Sequence, residues 1–216
     1  MKHSRMLVAM IFLGAALMAL SFLGCATPSR YTLHLGPAPE EEKGPKTSLT
    51  IGLLPFEDSR PSPQFLGKLI DSDGQEVDIV LDSPSPAEDV TYILRRALRA
   101  RGIRTVELQY WTPDPEHLKD LPEDVDVAFA GRIDALAVNA ESALLNTKVK
   151  YRVRLSAKVG FKKEGVVITQ SAEVLPEERL LRFNPPRIEE PLNDAVTEAL
   201  NRLLKTIATP PSPTSG

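Results

Sequence analysis

At 216 residues the chain is long enough for one domain with tails and too short for several. Apolar residues make up 42% and charged residues 25%, the balance of a domain that folds around its own core. A net charge of −3 argues against the clustered positive face that a nucleic acid partner needs, and a single cysteine excludes an internal disulfide.

Lys2, His3 and Arg5 open the chain with a short basic region, and Met6 through Leu23 then carry no charge. Small Gly24 precedes Cys25, the layout of a secretory signal with a small residue at the cut. The tetrapeptide "FLGC" (22–25) resembles the lipobox of bacterial lipoproteins. That resemblance implies cleavage before Cys25, diacylation of its sulfur, and a cysteine as the new N-terminus. Two acyl chains anchor a protein stably where one is marginal, since each buried methylene contributes about 0.8 kcal/mol. Ala26 stands where an aspartate marks inner-membrane retention in that family, so the resemblance implies the outer membrane, facing the periplasm. An uncleaved membrane anchor is the alternative for the apolar run, which is borderline in length for a bilayer span. A buried free thiol is a third reading.

The lipobox resemblance implies a signal peptide (1–24) and a lipidated Cys25, and composition divides the rest into a flexible tether (to 47), a folded body (48–208) and a disordered tail (209–216). The tether holds "APEEEKGPK" and the tail "TPPSPTSG", both rich in proline and poor in apolar residues. In the body, "SLTIGLLPFED" is an apolar run too short for a helix and reads as a buried strand. "DSRPSPQFLGKLIDSDGQ" follows as a long excursion full of turn residues, and "EVDIVL" alternates as a second strand.

The next element carries its own punctuation. Ser85 is an N-cap, Pro86 takes the first helical position, and Glu88 completes a capping box. Val90, Ile93, Leu94, Ala97 and Leu98 then form one helical stripe, and Gly102 ends it. "IRTVEL" is a short strand, and "DVDVAFAGRIDALAV" places Val125, Val127, Phe129, Gly131 and Ile133 on one face of another. "KVKYRVRLSAKVGF" alternates strictly, the turn "KKEG" follows, and "VVITQSAEV" returns as its hairpin partner. "EEPLNDAVTEALNRLLKTIA" is a second amphipathic helix. Together these predict an α+β two-layer sandwich: a mostly antiparallel sheet with two amphipathic helices on one face.

Candidate chemistry is sparse. His3, His34 and His117 lie far apart at no metal-ligand spacing, and "DSDGQE" has its glycine too early for a calcium loop, so it reads as a turn. No catalytic residue, cofactor or metal is expected. Asp58 and Arg60, closing the first strand, offer either a polar contact for a partner or a local ion pair bracing the turn. The basic face of the 148–162 strand, chiefly Arg152, Arg154 and Lys158, suits anionic lipid headgroups or lipopolysaccharide. Acidic neighbours such as Glu164 and Glu173 offer cross-strand pairing instead.

The "IGLLPFEDSRP" strand, the helix–glycine–strand step "LRRALRARGIRTVE", the strand "FAGRIDALAV" and the lipobox cysteine are similar to the corresponding parts of YajG-type envelope lipoproteins. "YTLHLGP" (31–37) resembles the start of auxiliary lipoproteins of ABC-type lipid-transport systems. The expectation is a non-enzymatic, lipid-anchored envelope protein that binds or adapts a protein partner, its small-molecule ligand unknown. The alternative is an auxiliary subunit of a lipid transporter.

Overall fold

A computed structural model describes residues 30–36 and 48–207. The signal peptide, Cys25, most of the tether and the tail lie outside the described residues. The strands are β1 (Arg30–Leu33), β2 (Thr50–Leu53), β3 (Glu57–Asp58), β4 (Phe65–Ile70), β5 (Glu76–Leu81), β6 (Arg104–Glu107), β7 (Val127–Ser142), β8 (Thr147–Phe161), β9 (Val166–Val174) and β10 (Glu177–Leu180). Two α-helices, α1 (Pro86–Ala100) and α2 (Pro185–Lys205), and a short 3-10 helix (Pro115–Asp120) complete the order.

One long hairpin organises everything else. β7 and β8 pair antiparallel along their whole length. The other edge of β7 is shared end to end by three short parallel partners: β2 at Val127–Phe129, β3 at Arg132–Ile133, and β4 at Ala140–Glu141. β8 is likewise shared, by β9 over its second half and β10 over its first. β6 extends the sheet beyond β2, and β5 then β1 extend it beyond β4.

The expected two-layer antiparallel sandwich is therefore wrong. Five of the nine pairings are parallel (β1–β5, β2–β6, β2–β7, β3–β7 and β4–β7). The ten-stranded sheet curls into a half-barrel. The curl wraps α2, which touches β8 and β9 on one side and β1 on the other, while α1 lies against β3 and β6. The physical reason is length: strands of two to six residues each match only part of a sixteen-residue neighbour. They must sit in series along it, and their chain directions follow from short connections rather than from hairpins.

Helix α1 forms as its sequence dictates. The Ser85 hydroxyl accepts a hydrogen bond from the Glu88 amide, and Val90, Ile93, Leu94 and Leu98 are buried. At the other end Gly102 adopts φ +72°, its amide bonding to the Arg99 carbonyl and the Ile103 amide to that of Leu98. That is a Schellman closure, and its glycine supplies the left-handed backbone.

Other expectations need correction. Arg30–Leu33, placed in the tether, form an edge strand whose Leu33 is fully buried. The 58–75 excursion contains β4, disguised by a bulge between Phe65 and Gly67 that breaks its alternation. In β7 a second bulge, between Ile133 and Ala135, reverses which residues point inward: Val127, Phe129 and Ile133 before it, Leu136 and Val138 after it. Val125 lies before the strand, in a second apolar cluster with Leu108, Trp111, Leu118, Leu121 and Ala128 on the opposite side of the sheet. Gly52 and Gly160 make room there: a Cβ on Gly160 would lie 2.5 Å from Leu118 and 2.6 Å from Trp111. α2 begins at Pro185, before the predicted Glu189, and continues through Pro191.

Candidate functional site

Asp58 closes β3 and Arg60 stands two residues on, in the connection that carries the chain onward along β7 to β4. Arg60 Nε and Nη2 bond the two Asp58 oxygens at 2.9 and 2.7 Å. Its remaining guanidinium donors reach the carbonyls of Pro63, Phe65 and Leu136. Five bonds leave no N–H of the guanidinium unused. The two side chains are 7% and 8% exposed, so the pair is closed to a partner as it stands.

What the pair does is local and specific. The Ser59 amide and hydroxyl both bond the Ile133 carbonyl, and Arg60 bonds Leu136, so the turn grips β7 on both sides of its bulge. The reversal at that bulge brings Ala135 and Ala137 alongside Arg154 and Arg152 on the outer face. Asp58 and Arg60 thus act on that face by holding the strand beneath it.

Arg152, Arg154 and Lys158 all project from the exposed face of β8. Arg152 pairs with Glu173 at 2.9 Å, and Lys148 with Glu177 at 2.8 Å, as cross-strand neutralisation predicts. The Lys148 contact, with its hydrogen bond foremost, holds the Glu177 carboxyl below the usual range. Among the described residues no carboxylate lies within ion-pair distance of Arg154 or Lys158. Their register neighbours on β7 are Ala135 and Ala130; on β9 Arg154 stands opposite Glu173, whose carboxylate bonds Arg152, and Lys158 stands opposite Thr169. Glu164 sits in the β8–β9 turn and makes no ion pair with them.

Among the described residues, His34 Nδ1 lies 2.5 Å from Asp82 and His117 Nδ1 lies 3.1 Å from Asp120. Asp71 shapes the β4–β5 turn by accepting the amides of Asp73 and Gln75. Among the described residues no group of carboxylates, histidines or cysteines is arranged to hold a metal ion. No described helix is long and apolar enough to cross a membrane. Sequence reasoning missed one feature: the exposed apolar side chains of Ile70, Leu144, Leu145 and Leu181 all lie at the β7–β8 hairpin end of the sheet. The signal was present in "ALLN" (143–146), two leucines in a turn between polar-faced strands.

No family model matches the chain, and no curated protein does. Among solved structures it is similar to a Xanthomonas campestris protein of the DUF330 family, at 13% identity and a TM-score of 0.48, over 81% of this chain and 91% of that one. A Neisseria meningitidis lipoprotein is 11% identical over 73% of this chain and 99% of its own, with a TM-score of 0.37. An Acinetobacter baumannii minor lipoprotein is 14% identical, with coverage of 66% and 91% and a TM-score of 0.35. At these values the likeness is one of outline and assigns no activity.

Proposed function

We propose that this protein is a lipid-anchored component of the bacterial cell envelope that works by binding rather than by catalysis. Cys25 carries the acyl chains, the body faces the periplasm, and the outer membrane holds the anchor. One observation carries the reading: a charge-free run ends in Gly24-Cys25, and the folded sheet begins at Arg30, five residues later. The motifs shared with YajG-type lipoproteins support it. The partner contact is assigned to the outer face of β8, where Arg154 and Lys158 are exposed and make no ion pair among the described residues. An acidic protein surface suits that arrangement.

Labelling cells with a clickable fatty acid tests the anchor. Wild type is expected to take up label and fractionate with the outer membrane, and Cys25→Ala to do neither; equal labelling of both would overturn the anchor. A photo-crosslinking side chain at position 154 tests the face. Its adduct is expected to disappear in Lys158→Glu while membrane retention stays unchanged. An adduct indifferent to that substitution would remove the outer face from the proposal.

A further inference from the structure

The turn joining β7 to β8 carries two leucines that no described residue covers, Leu144 at 94% and Leu145 at 82% exposed. The turn itself is closed: the Ala143 amide bonds the Asn146 carbonyl at 2.7 Å, and the Ser142 and Thr147 hydroxyls meet at 2.8 Å. The leucines are therefore held outward by a pinned hairpin. Leu181, 87% exposed, follows Leu180, which pairs with Thr147 at the foot of the turn. Ile70, 41% exposed, pairs with Glu141 on the other side.

The N-terminal chain reaches the sheet at this same end. β1 runs parallel to β5, which leaves the β4–β5 turn beside the hairpin tip. Arg30 is level with Asp78 and Lys68, and so with Asn139, three residues short of Ser142. Three residues of strand span about 10 Å. Cys25 lies five residues upstream of Arg30, a link that extends at most about 17 Å. An acylated Cys25 thus reaches the level of the tip and little beyond it. Charges at this end nearly cancel, with Arg30, Lys68, Lys148, Lys150, Arg179 and Arg182 against Asp71, Asp73, Glu76, Asp78, Glu141, Glu177 and Glu178. The occupant of an apolar patch with balanced charge, tied within reach of an acyl anchor, is the bilayer itself.

We propose that the β7–β8 tip is a second, shallow membrane contact. Leu144 and Leu145 enter the boundary between headgroups and acyl chains in the leaflet that holds Cys25. The sheet then stands end-on to the membrane, and the cationic outer face of β8 looks sideways into the aqueous space. This rests on the acylation proposed above.

The full chain, processed in a bacterial host and purified with its acyl mass confirmed, tests it in phosphatidylcholine–phosphatidylethanolamine vesicles. A cysteine introduced by Leu144→Cys takes an environment-sensitive fluorophore, since the Cys25 sulfur is blocked by its thioether. Lys163→Cys, in the β8–β9 turn at the opposite end, is the control. The probe at 144 is expected to shift to the blue on vesicle addition and to lose about half its intensity to lipid-borne quenchers. High salt should leave that unchanged, and the probe at 163 should show neither effect. Acylated, vesicle-bound protein in which the two probes behave alike would overturn the tip contact while leaving the anchor intact. A blue shift present before vesicles are added would assign the tip to a second copy of the chain and overturn it as well. Purified protein without acyl mass would overturn the anchor, and the tip contact with it.

Discussion

Two arginines, Arg60 in the connection after β3 and Arg154 on β8, carry the same charge and opposite expectations. Arg60 is buried with all its donors used, so removing it strands the Asp58 carboxylate in the interior. Breaking a buried pair in this way costs about 3–5 kcal/mol. Arg154 is exposed with no pairing acid among the described residues, and its loss should stay within about 0.5 kcal/mol. Urea unfolding of Arg60→Ala and Arg154→Ala reads both values. Equal, small losses would show that the Asp58–Arg60 pair does not brace β7. Tyr151 adds a pH dependence. Burial, and then the hydrogen bond its hydroxyl donates to Glu178, hold its ionisation well above the ordinary 10.0. The folded chain keeps that proton where the unfolded chain releases it, so the contribution is full below about pH 10 and declines as pH rises further. Tyr151→Phe should flatten the alkaline slope of stability; an unchanged slope would place the titration elsewhere. The Asp58–Arg60 adjacency was readable from "EDSR", but its saturation was not, because three of the acceptors are carbonyls brought in by folding.

Among the elements, α1 was the most legible, because its cap, stripe and closing glycine are local signals that backbone chemistry enforces. Gly102→Ala forces a side chain into the left-handed region and should cost about 1–2 kcal/mol. Calorimetry of that variant should show a lower melting temperature, and an unchanged one would deny the closure. β8 was legible for a related reason, since its alternation records which face is buried, whereas β7 keeps one period only up to its bulge. β1 and β4 were not. β1 has four residues beside a charged, proline-rich stretch, and β4 hides its period behind a bulge. The second cluster was equally hidden, because "LQYW" and "HLKDL" become an apolar layer only when laid over Gly52 and Gly160. Gly160→Ala should cost about 1–3 kcal/mol by overpacking. It should also shift the emission of Trp111, the only tryptophan, to the red as the indole is displaced. Native-like emission would mean that the cluster yields without strain.

At the scale of the whole molecule, the curl of the sheet and the direction of the chain at Arg30 give the protein two distinct ends. One carries the hairpin tip and the incoming N-terminal chain, and the other carries the β8–β9 turn and the C-terminal end of α2. Strand order and parallel pairing were invisible in the sequence, since hydrophobic alternation specifies a buried face and not the neighbour across it. The proposed anchor rests on other signals, a continuous apolar run and one cysteine, both outside the described residues. On the attachment and tip contact proposed above, the cationic side of β8 faces the aqueous space and not the bilayer plane. The intact mass of the protein purified from its native membranes tests that attachment most directly. A polypeptide beginning at Cys25 and carrying a diacylglycerol modification is the expected result. A polypeptide that keeps Met1 and carries no acyl mass would contradict it.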